Sequence, residues 1–142
     1  MSMRTLILCA VALSSCARRD AAAPIEVRDV WARAADSATV TAVYLAVLNH
    51  EAQPVTLASV SSPDAESVTL HETMQMSGMV HMMPLDSAQR VAAGDSLVLR
   101  EGGKHLMVTG LKRRLVAGDS LPLVLTLRDG RVVHVAAAIR AP

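Results

Sequence analysis

The chain has 142 residues, enough for one domain with a real core and too few for two, and its formal charge at pH 7 is +1. It carries no basic run interleaved with aromatics, since Trp31 and Tyr44 are its only aromatic residues, so nucleic acid is not an expected partner. Arg18-Arg19 and Lys112-Arg113-Arg114 are too short to alter that and read as solvated.

The chain opens MSMRTLILCAVALSSC, with one basic residue (Arg4), an apolar stretch from Leu6 to Leu13 and then small residues. This is the pattern of a secretory signal, shorter than a membrane-spanning helix. Its end, Leu13-Ser14-Ser15-Cys16, resembles the bacterial lipobox, in which the cysteine is lipidated and becomes the first mature residue. The alternative is plain signal cleavage after Ser15, giving a soluble periplasmic protein. The expected organisation is a lipoprotein signal over 1–15, a lipid-anchored tether over 16–24 and a single domain over 25–142, on the periplasmic side of a bacterial membrane. Cys9 is then discarded and Cys16 acylated, so the mature domain offers no thiol or disulfide. A soft-metal site there has to use other donors.

From Ile25 onward strand signals dominate. IEVRDVWARA alternates. TVTAVYLAVLNH is rich in β-branched residues and alanine and stops at the turn-prone Asn49-His50. PVTLASVSSP follows, then AESVTLHE, where Val68 and Leu70 alternate with Ser67, Thr69 and His71. Residues 71–83, HETMQMSGMVHMM, hold five methionines and two histidines around a Ser77-Gly78 turn signal and read as a loose hairpin or loop entering a short strand. DSLVLRE, KHLMVTGL, DSLPLVLTLR and RVVHVAAAI come next, separated by Gly94, Gly102-Gly103, Gly118 and Asp129-Gly130. Short strands with glycine turns at this spacing predict an all-β sandwich or barrel.

Two motifs suggest enzymes and fail. GDSL occurs at Gly94–Leu97 and Gly118–Leu121, but no Asp is followed three places later by His, and both copies sit where Gly-Asp supplies a turn. His71-Glu72 begins a zinc-protease HExxH pattern, but Gln75 stands at the second histidine position in a segment without helical character. No acid–base pair or nucleophile constellation survives, and the expectation is a protein that is not an enzyme.

The soft donors are His71, Met74, Met76, Met79, His81, Met82, Met83, His105 and Met107. Thioethers are neutral and polarisable, bind Cu(I) usefully, and do not form disulfides in an oxidising compartment. His105 and Met107, two apart in a strand-like run, share a face with Leu106 pointing inward. Met82 points opposite to His81 and Met83, and only one of these sets can face a given site. His50 and His134, with no nearby donor in sequence, read as surface residues. Core filler does not explain five methionines beside a glycine turn. A Met-rich binding surface that contacts apolar groups is the competing explanation.

The spacing His71, ten residues, Met82, twenty-two residues, His105-Leu106-Met107 resembles the periplasmic copper A chaperones, the PCu(A)C type, whose usual second interval is about twenty-one. The extra residue falls naturally in the turn around Asp86 to Gln89. Trp31-x-Arg33, Tyr44 to Asn49, Ser61-Ser62-Pro63, Gly102-Gly103, Leu111 and Leu115-x-x-Gly118-Asp119 also resemble that family. The resemblance implies a cupredoxin-like β-sandwich, a monomer, binding one Cu(I) through His71, Met82, His105 and Met107. It further implies delivery to the binuclear copper centre of the copper-bearing subunit of cytochrome c oxidase, with a thioredoxin-like copper chaperone as partner. Met74, Met76, Met79, His81 and Met83 lie outside the pattern and are possible auxiliary copper ligands. Some relatives carry a His/Met-rich tail, whereas this chain ends AAAIRAP. The alternative function is a copper-buffering or resistance protein without a dedicated recipient. One tight Cu(I) per chain favours the carrier, and several favour the buffer.

Overall fold

A computed structural model describes residues 23–86 and 88–141, so the expectations for the signal, for Cys16 and for all of the tether but Ala23 and Pro24 lie outside the described residues. Those residues contain ten strands and no helix. The strands are β1 (Ile25–Arg33), β2 (Val40–Asn49), β3 (Val55–Ser61), β4 (Ser67–Met76), β5 (Met79–Pro84), β6 (Gln89–Val91), β7 (Ser96–Leu99), β8 (Lys104–Thr109), β9 (Ser120–Leu127) and β10 (Val132–Arg140). They form one hydrogen-bonded sheet in the order β5-β4-β8-β2-β1-β10-β9-β3-β6, with β7 beside β2.

The sheet folds over at β1 into two layers. Asp29 takes a positive φ of 52°, and the register with β2 shifts between Arg28 and Trp31, which marks a bulge. Beyond it, Trp31 and Ala32 pair with Tyr44 and Val43 of β2 on one side, and Trp31, Ala32 and Arg33 run parallel to Ala138, Ile139 and Arg140 on the other. Alternation then fills the space between the layers. Leu121, Leu123, Leu125 and Leu127 of β9 join Val43, Leu45 and Val47 of β2, Leu70 of β4 and Leu106 and Val108 of β8 in one continuous core. This meets the expectation of an all-β sandwich built from short alternating strands.

Both GDS copies are turns, as expected. Gly94 (φ 70°) and Gly118 (φ 95°) sit third in turns closed by Asp95 N–H donating to the Ala92 carbonyl (3.1 Å) and Asp119 N–H to that of Val116 (3.0 Å). The aspartates cap these turns through their carboxylates, which accept from Ser96 N–H (2.7 Å) and Val116 N–H (3.0 Å).

The hairpin expected at 71–83 forms around the Ser77-Gly78 turn, but it is regular where a loose hairpin or loop was expected. Ser77 (φ 53°) and Gly78 (φ 77°) make a two-residue turn, and both take the left-handed conformation that a primed hairpin turn requires. Its twist matches that of the flanking strands, so β4 and β5 pair without interruption from His71↔Pro84 to Met76↔Met79. The short strand β6, paired with β3, had no distinct sequence signal.

Leu106 is 2% exposed and lies between the two candidate ligands of β8. Leu106→Ala is expected to cost about 2–5 kcal/mol of stability through lost burial and a residual cavity, read as a lower urea midpoint at unchanged m-value.

Candidate metal centre

Cross-strand register decides which donors meet. β4 and β8 are antiparallel, with His71 opposite His105 and Thr69 opposite Met107. β5 then adds Met82 opposite Thr73. Because directly paired residues share a face and residues two apart keep it, His71, His105, Met107, Thr73 and Met82 all lie on the outer face of three adjacent strands. Leu70 and Leu106, the intervening pair, point into the core. The four residues singled out by the sequence spacing are thus brought to one place.

The histidines stack, with ring centroids 6.1 Å apart and planes inclined by 23°. His105 is 4% exposed, yet its polarity is accommodated. Its Nδ1 lies 3.1 Å from the Gly103 carbonyl, which can only accept, so Nδ1 carries the proton and Nε2 is left to ligate. The same carbonyl accepts Thr73 N–H at 3.1 Å, which ties the base of the hairpin to the histidine. His71 Nδ1 is 3.3 Å from the Thr69 hydroxyl, an arrangement that also leaves Nε2 outward.

Reasoning from sequence did not assign the wall of the site. Tyr44 packs 6.4 Å from His105, Trp31 packs 4.6 Å from Tyr44, and the Arg140 guanidinium lies 4.6 Å from the centre of the Trp31 ring. Five neighbouring strands therefore contribute one planar group each, in the order Arg140, Trp31, Tyr44, His105, His71. The signal was present, since these are the chain's only Trp and Tyr, but linking them to the histidines requires the register. Arg33, Tyr44, Thr73, Met82, His105 and Met107 line an open concavity of ≈ 350 Å³. At its rim the Tyr44 hydroxyl and the Glu101 carboxylate raise the pKa of Arg33, and the guanidinium stays paired with Glu101.

Exposure rises steadily across the donors. His105 is buried, His71 and Met107 are half-buried, and Met82 on the free edge strand is 57% exposed. Among the described residues no three His, Cys, Asp or Glu side chains are placed to hold a metal ion. A metal bound here would need thioether sulfur, and two imidazoles with two thioethers form a neutral, soft set suited to Cu(I) and ill suited to hard cations. His50 and His134 are exposed, as expected; His50 pairs with Glu26 at 2.8 Å.

Residues 25–139 match the family model described as "LpqE-like: Putative lipoprotein LpqE-like". A protein of Leifsonia xyli subsp. xyli named "Putative lipoprotein Lxx21020" is 34% identical over 116 residues, covering 82% of this chain and 69% of its own length. The copper-bound PCuAC domain from PmoF2 superposes with a TM-score of 0.67 over 86% of this chain and 97% of its own; at 22% identity that likeness is one of fold. It bears out the cupredoxin-like sandwich. DR1885 from Deinococcus radiodurans is 29% identical in both its apo form (TM-score 0.61, 100% of this chain and 96% of its own) and its Cu(I) form (TM-score 0.53, 81% and 80%).

The Gly103 contact leads to a specific expectation for His105. Nitrogen-15 correlation spectra of the metal-free protein at neutral pH should show the Nδ1–H tautomer; an Nε2–H pattern would contradict the hydrogen bond to Gly103.

Proposed function

The chain belongs to the LpqE-like family, and on that premise we propose that it is an extracytoplasmic copper chaperone that carries one tightly held Cu(I) on His71, Met82, His105 and Met107. The observation that carries the reading is the register of β4, β5 and β8, which gathers two imidazoles and two thioethers from distant parts of the chain onto one face. DR1885, a relative of this fold with known apo and Cu(I) forms, adds support.

A carrier must hold its cargo against free chelators and still release it to a partner. The exposure gradient suits both demands. His105 is fixed by Gly103 and Tyr44 and serves as the anchor, with His71 stacked beside it. Met82, on the edge strand, is the donor an incoming ligand replaces first. All four ligands are neutral, so exchange leaves no uncompensated charge on the protein. The proposed recipient, on the resemblance described above, is the binuclear copper centre of cytochrome c oxidase, reached with a thioredoxin-like partner. The proposal also includes acylation of Cys16, which would hold the domain at the periplasmic face of a membrane. The residues do ligation and exchange, with no bond-making step on a substrate.

Two experiments test this reading. In anaerobic competition with a chromophoric Cu(I) chelator, Met82→Leu/Met107→Leu should abolish tight binding, a loss beyond the roughly 10–100-fold that outer-shell changes cost, while the fold is retained. Survival of tight binding in that variant would refute the four-ligand assignment. Separately, Cys16→Ser should move the protein from the membrane to the soluble fraction in cell fractionation; persistence in the membrane would refute lipid anchoring there.

A further inference from the structure

The register that brings Met82 to the outer face sends the remaining donors of the hairpin to the other one. Pairing runs Glu72↔Met83, Met74↔His81 and Met76↔Met79 without a shift, so these six side chains form three rows on a single face. That face continues the inner side of the sheet past Leu70, where the hairpin extends beyond the core. Met74, Met76, Met79 and Met83 are 42–61% exposed and His81 is exposed as well, so none is core filler.

From this arrangement we propose a second Cu(I) site, built on the hairpin face opposite the first by His81 with Met74, Met76 and Met79, and with Met83 in the adjoining row. Directly opposed residues on antiparallel strands have Cβ atoms about 4.5–5.5 Å apart, and same-face neighbours along a strand are roughly 7 Å apart. The four side chains therefore stand at the corners of a small rectangle, and long, unbranched thioether arms can converge above its centre. The composition argues for a metal over an apolar partner. A docking face would accept Leu, Ile or Val, yet the two strands' one exposed branched apolar residue, Val80, lies on the other face, and every apolar residue in these rows is Met. Sulfur with imidazole selects a soft, monovalent ion. The site is open and draws on no wall equivalent to Tyr44, so it binds more weakly than the first. It stands on its own donors and does not depend on the four-ligand reading.

Anaerobic titration of the purified full chain with Cu(I) tests the second site, combined with spectra of the methionine ε-methyl groups. The expected result is two equivalents, with the Met74, Met76 and Met79 methyl signals moving during the weaker one. Met74→Leu/Met76→Leu/Met79→Leu keeps the exposed shape and should lose the weaker equivalent alone. Met82→Leu/Met107→Leu should lose the tight equivalent alone, so failure of either site is read separately. Saturation at one equivalent in the parent chain, or a second equivalent that survives the triple substitution, would overturn the proposal.

Discussion

The pairing of β4 with β8 is the constraint on which the rest of the molecule depends. It sets Leu70 beside Leu106 on the inner face and His71 beside His105 on the outer one. A slip of one residue would exchange the two faces, turning leucines out of the core and imidazoles into it. The hydrophobic effect therefore enforces donor geometry indirectly, because any register that scatters the donors also opens the core. The Gly103 carbonyl closes the arrangement by accepting from both Thr73 and His105, so the end of the ladder and the orientation of the imidazole are set by one atom.

Around that ladder the molecule is graded from rigid to labile. On one side stand the planar groups from Arg140 to His105, each on its own strand and each in contact range of the next. On the other is β5, the last strand of the sheet, with all six residues exposed and one neighbour to bond to. A neutral donor set spanning these extremes would have a fixed end and an exchangeable end. That asymmetry is what a protein needs if it is to surrender an ion without unfolding.

Much of this was legible in the sequence. Alternation in IEVRDVWARA and in AESVTLHE, and the run DSLPLVLTLR between glycines, marked strands correctly, and the Gly-Asp pairs marked turns, because these signals are local. The two-apart spacing of His105 and Met107 fixed their common face for the same reason. What could not be read was non-local. The double role of β1 depends on a bulge at Asp29 that its residue type does not demand, and the Trp31–Tyr44 wall exists only once three strands are in register. The hairpin was underestimated because a glycine turn among methionines looks irregular, whereas Ser77-Gly78 supplies the φ values that keep two strands regular. Only with that regularity do its seven donors divide cleanly between two faces.

The exposure of the hairpin also bears on oxidation. Thioethers open to solvent are converted to sulfoxides, which replace a soft sulfur donor by a polar, harder oxygen, while imidazole is spared. Met82 and the four methionines of the reverse face are the accessible ones, whereas Met107 is half-buried on an inner strand. Oxidants would therefore strip donors from the rim inward and leave His71, His105 and Met107 as a three-donor remnant. Methionine sulfoxide reductases reverse this lesion, so loss of capacity under oxidative stress would be graded and repairable, where a thiolate site of the same size would be lost to an irreversible acid or a mispaired disulfide.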